Sequence, residues 1–125
     1  EAFQDATAMP NVHFLGRVDD LAPYYLQATA VVAPILSGSG LKTKTVEALR
    51  YGKYVIGSAE AFEGIPILNY PGAGCECHNT SDYISLINSL KVAKTNEASL
   101  RLFDEQFSTA TQLKRFNEFI MSTAQ

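Results

Sequence analysis

Apolar positions along this chain alternate between two rhythms. Short unbroken runs occur at Ala30–Pro34 and Tyr54–Gly57, while Leu21, Tyr24, Tyr25 and Ala28, then Val46, Ala48 and Leu49, recur at helical spacing. The same spacing returns in Tyr83, Ile84, Ile87 and Leu90, in Leu100, Phe103 and Phe107, and in the tail at Leu113, Phe116, Phe119 and Ile120. An apolar run too short for a helix and bounded by turn residues reads as a parallel strand covered on both faces. Asn11–Gly16 reads as an earlier strand, with Val12, Phe14 and Leu15 inward, and His13, Phe14, Tyr24 and Tyr25 are expected in the core. Asp19 or Asp20 is the expected cap of the helix that follows, and Pro23 fits its first turn, where an amide has no intrahelical partner.

The next helix should run from about Lys42 to Tyr51, bury Val46, Ala48 and Leu49, and stop at Gly52, a residue suited to the left-handed conformation past a helix end. Ser58–Pro66 reads as a loop, and the Pro- and Gly-rich stretch from Ile67 to Gly74 carries no assignment. Gly74–His78 is a candidate last strand, and Thr80 or Ser81 the start of another helix. The order βαβαβ implies an α/β, Rossmann-like parallel sheet with helices on both faces and right-handed crossovers. Ligands of such sheets sit beyond the carboxyl ends of the strands, where the loop Gly38–Lys44 lies.

Composition narrows the function classes. With 125 residues, 46% of them hydrophobic, and a formal charge of −3, the chain reads as one globular domain over residues 1–125 and not as a nucleic-acid binder, which would carry a basic stripe. No stretch is apolar for long enough to span a bilayer. Cys75 and Cys77 are the two cysteines, and their spacing on a strand puts both on one face in poor disulfide geometry. A cytoplasmic location, or a peripheral one at the inner face of a membrane, is the expectation.

The loop after Ala30–Pro34 carries the chemistry. A strand that ends in glycines and opens a helix leaves unpaired amides that suit phosphate oxygens. Lys42 and Lys44 stand at that helix start, where the macrodipole is already positive and stability alone favours Asp or Glu, so an anion is expected there. A P-loop needs Gly directly before Lys, and Leu41 intervenes. A dinucleotide fingerprint needs a third glycine where Thr43 stands, although Glu60 lies where a ribose-binding acid would, which leaves a nicotinamide-dinucleotide reading open.

The run Pro34-x-x-x-Gly38-x-Gly40-x-Lys42-x-Lys44-x-x-Glu47-Ala48-Leu49, with Gly52, Val55-Ile56 and Glu63-Gly64-Ile65 after it, resembles the donor-binding half of GT-B glycosyltransferases, specifically the retaining group called family 4. Val12-His13-Phe14-Leu15-Gly16 with Leu21 and Tyr24-Tyr25, and Phe107-Ser108 further on, extend the resemblance over most of the chain. It implies a C-terminal donor-binding domain of a two-domain transferase, with an acceptor domain preceding it in cis, a nucleotide sugar as substrate, and neither cofactor nor metal. Glu47 matches the second glutamate of the family's E-x7-E motif and would hold the ribose. Lys44 would lie at the diphosphate, with the amides of Ser39, Gly40 and Leu41, and the resemblance makes Lys44 and Glu47 the catalytic side chains. Ser39 stands where the motif's first glutamate belongs. The chain is expected to be inactive alone, and its tail, residues 109–125, to pack on the absent domain or to pair two copies.

Plainer readings compete. Lys44 and Glu47, three apart on a helix, also make an ordinary exposed ion pair. Glu63-Gly64 suits a simple turn, and Cys75-Glu76-Cys77-His78 lacks the ligand number of a zinc site. A non-catalytic flavodoxin-like or Rossmann module would use the same frame.

Overall fold

Backbone hydrogen bonding decides which apolar runs become strands, and three of them do. The structure, a computed structural model, describes residues 9–123. Its elements are helix α1 (Ala22–Gln27), strand β1 (Ala30–Ala33), helix α2 (Thr43–Arg50), strands β2 (Tyr54–Gly57) and β3 (Gly74–Glu76), and helices α3 (Thr80–Ser89), α4 (Glu97–Phe107) and α5 (Thr109–Thr123). The sheet runs β1-β2-β3, all parallel, with Ala30 opposite Tyr54 and Val55 opposite Gly74. This is the expected α/β, Rossmann-like arrangement, a parallel sheet flanked by helices.

The first expected strand is absent. Asn11–Gly16 makes no ladder, and Val12, Phe14 and Leu15 are about half exposed. A strand exists only where a neighbour supplies its ladder, and among the described residues the sheet pairs β1 with β2 and β2 with β3 and leaves this segment unpaired. His13 and Tyr24 are exposed as well, which leaves Tyr25 as the one core residue of the four expected there. Asp20 does shape the start of α1, accepting a bond from the Ala22 amide at 3.0 Å, although the capping position itself is Leu21. β1 is an edge strand with Val32 45% exposed, so it is not covered on both faces.

The stretch from β1 to β2 folds as the pattern requires. Helix α2 presents Thr45, Ala48 and Leu49 inward, residues that share one helix face, while Val46 is only half-buried. Gly52 takes φ +70°, the left-handed conformation that ends the helix, and hands the chain to β2. Fully buried Leu49, Val55 and Leu102 belong to one cluster, each such side chain contributing roughly 2 kcal/mol.

Between β2 and β3 the crossover contains three 3₁₀ turns, Glu60–Phe62, Ile67–Asn69 and Pro71–Ala73, in place of an α-helix. Pro66 and Pro71 remove amide donors, which is why the stretch gave no helical pattern. Asn79 caps α3, its side chain accepting the Asp82 amide at 2.9 Å, so Thr80 is the first helical residue. That helix buries none of its residues. In α4 the fully buried positions are Ser99 and Leu102, whereas Leu100 is 38% exposed and Phe103 and Phe107 pack on the cluster from its margin. α5 follows after Ser108, and Leu113, Phe116, Phe119 and Ile120 on it are all substantially exposed.

Candidate functional site

The candidate site is the corner where β1 gives way to α2. Leaving β1, the chain turns through Ile35, whose amide returns to the Ala33 carbonyl at 2.9 Å. Gly38 and Gly40 then adopt φ +107° and +85°, which side-chain-bearing residues rarely take. Among the described residues, the amides of Ser39, Gly40 and Leu41 donate to no protein acceptor, and all three residues are exposed. Three unspent donors precede the positive end of α2.

Two side chains on the first turns of α2 complete the corner. Lys44 Nζ lies 3.3 Å from Glu47 Oε2, with the side chains 64% and 30% exposed. Glu47 faces the solvent on one side and the Tyr25 phenol on the other. Tyr25 has its pKa pushed up to about 12, first by burial and then by the adjacent Glu47 carboxylate. Its ring stacks on Tyr51, with centroids 5.0 Å apart and planes 7° from parallel, so α1 is fixed against the end of α2. Tyr25 is the contact that the sequence pattern missed, since its helical spacing announced only a core position.

Lys42 behaves differently from the expectation that it faces an anion. It occupies the N-cap position, and its ammonium turns back to the Gly40 carbonyl at 2.8 Å, the Gly38 carbonyl at 3.3 Å and Glu63 Oε2 at 3.4 Å. Glu63-Gly64 therefore shapes its loop and also holds a lysine from the neighbouring one.

A depression of about 800 Å³ opens elsewhere, beyond the strand ends among Val32, Pro34, Leu36, Ser58, Glu60 and Tyr83. None of Ser39, Gly40, Leu41, Lys44 and Glu47 lines it. Volume favours that depression; free donors and paired charges favour the loop corner, and oriented donors are what an anion needs. Glu60 lies in the depression, away from Lys44 and Glu47, so the acid that a dinucleotide would use and the open amides border different surfaces. Among the described residues, no three His, Cys, Asp or Glu side chains come together as a metal site, and no helix is long and apolar enough to cross a membrane.

Neither curated proteins nor solved structures gave a match. The model of the family described as glycosyl transferases group 1 matches residues 1–90, which include the glycine loop, Lys44, Glu47 and all three strands. The chain belongs to the glycosyl transferases group 1 family.

Proposed function

We propose that this chain is the donor-binding part of a GT-B glycosyltransferase and holds a nucleotide sugar at the corner between β1 and α2. The observation that carries the reading is the set of open amides at Ser39, Gly40 and Leu41 beside the Lys44–Glu47 pair. On this reading the diphosphate accepts bonds from the three amides, and Lys44 leaves Glu47 to meet its negative charge. Glu47 is then free to accept from both hydroxyls of the pentose, for which a carboxylate has two acceptor oxygens.

Departure of the nucleoside diphosphate is the hard step of sugar transfer. Donors fixed before the reaction stabilise the charge that grows on the leaving group and act mainly in the transition state. The reading takes the transfer as retaining and as needing no metal, with the amides and Lys44 supplying the positive field. An acceptor domain in cis completes the enzyme, so this chain alone should bind nucleotide weakly and transfer no sugar.

The closed Lys44–Glu47 ion pair favours a second reading, a Rossmann module in which the two charges merely satisfy each other. Glu47→Ala separates the two. Ligand-observed NMR with UDP, GDP, ADP and NAD should show one diphosphate binding the wild type and none binding the variant, at unchanged melting temperature. Equal binding by both proteins would leave the plain module standing.

A further inference from the structure

The Lys42 side chain is only 15% exposed, and its ammonium has three N–H donors facing three acceptors: the carbonyls of Gly38 and Gly40 and the Glu63 carboxylate. No donor is left over for an external anion. The consequence lies in the peptide planes, because in a trans peptide the carbonyl of one residue and the amide of the next point in opposite directions. No peptide bond here is cis. A Gly38 carbonyl held toward Lys42 therefore turns the Ser39 amide away from it, and a Gly40 carbonyl held the same way turns the Leu41 amide away.

A second contact joins the same two loops. A Cβ placed on Gly64 would lie 3.5 Å from Leu41 Cδ1, so the Leu41 side chain rests on the turn that supplies Glu63. One placed on Gly38 would lie 3.7 Å from Lys42 Cε, so the glycine loop wraps the lysine stem.

We propose that Lys42 and Glu63 are a positioning pair: together they tie the loop after β1 to the loop after β2 and aim the amides of Ser39 and Leu41 outward at a diphosphate. The proposal rests on the donor-binding reading above. Lys42 acts through the loop and does not touch the ligand, and Glu63, though acidic and near an anion site, aids binding.

The experiment has a ligand-free arm and a binding arm. In the ligand-free protein, amide order parameters from nitrogen relaxation should fall at Ser39 and Leu41 in both Lys42→Met and Glu63→Gln. Unchanged values in both variants would overturn the tie. The binding arm uses whichever of UDP, GDP and ADP the wild type binds best, in about 0.5 M salt, where a screening length of about 4 Å removes long-range charge effects. Lys42→Met should weaken binding about tenfold, the order expected when a loop must be ordered on binding. Glu63→Gln, isosteric and exposed, should weaken it less, and the double variant should be no worse than Lys42→Met.

Tighter binding by Glu63→Gln would instead show Lys42 released to hold the anion directly and would overturn the positioning role. A wild type that binds none of the three sinks the donor-binding reading, and the diphosphate half of this proposal with it. A wild type that binds, with both variants equal to it, overturns the positioning pair alone.

Discussion

Glu47 has three neighbours with different demands on its charge: Lys44, the Tyr25 phenol and water. Lys44 pairs with it at 3.3 Å, while burial and the negative charge of Glu47 keep the Tyr25 phenol protonated. The phenol is therefore a reporter of Glu47. Its pKa, about 12 in the folded protein, stands above the ordinary tyrosine value of 10.0, so the folded state holds the phenolic proton more tightly than the unfolded chain does. The stability tied to that proton is complete below pH 10 and is lost as pH climbs from about 10 to about 12. Glu47→Gln removes the second cause of the rise and leaves burial, the first. Ultraviolet titration should then show Tyr25 ionising at lower pH, and chemical denaturation should show the alkaline loss of stability beginning earlier. A Tyr25 titration unmoved by Glu47→Gln would mean that the two side chains do not meet.

At the scale of elements, Asn96 ties the start of α4 to the turn after α2 and to the loop before β3. Its side chain accepts the amides of Ala98 at 2.8 Å and Ser99 at 3.3 Å as the cap of α4, and donates to the Gly72 carbonyl at 2.6 Å. Its own amide donates to the Gly52 carbonyl at 2.7 Å, just where α2 hands over to β2. Fully buried Ser99 adds bonds to the carbonyls of Lys53 at 2.8 Å and Ala73 at 3.3 Å. Asn96→Ala loses a cap and a long-range hydrogen bond, and should lower stability by about 2 kcal/mol in urea denaturation. Asn96→Asp, which keeps the cap acceptor but not the donor to Gly72, should fall between the two.

That polar junction was not legible in the sequence. Periodicity names apolar faces, and Asn96 and Ser99 are polar residues whose long-range partners lie 24 to 46 positions away. Lys53 escaped for the same reason. It is 1% exposed, donates to the Lys94 carbonyl at 2.7 Å, and burial holds its pKa below the usual lysine value. The path from β1 through Gly52 to β2 was legible, because run length, glycine position and helical spacing all agree there. Asn11–Gly16 misled because a strand is a pairing, and the pairing partner is not written in the strand's own residues. At the site, the glycine loop and the placement of Lys44 and Glu47 could be read from spacing. The return of Lys42 onto its own loop could not, since it depends on Glu63, 21 positions further on.

The whole molecule divides by how much each element buries. β2 is central in the sheet, with Val55 and Ile56 fully covered, and Ala48 and Leu49 of α2 and Leu102 of α4 are covered as well. α3 buries no residue and exposes Ile84 and Ile87, and every described side chain of α5 except Thr111 is exposed. Local opening costs little where few apolar contacts are lost, so these elements need not share the global stability. Native-state hydrogen exchange should therefore show β2, α2 and α4 exchanging only through global unfolding, with a strong response to denaturant. α3 and the second half of α5 should exchange through small openings almost insensitive to denaturant. The loop amides of Ser39 and Leu41, unbonded and exposed, should exchange fastest in the free protein and slow when a nucleoside diphosphate is added. Slowing confined to α3 and the depression beyond the strand ends would move the binding site there and away from the corner held by Lys44 and Glu47.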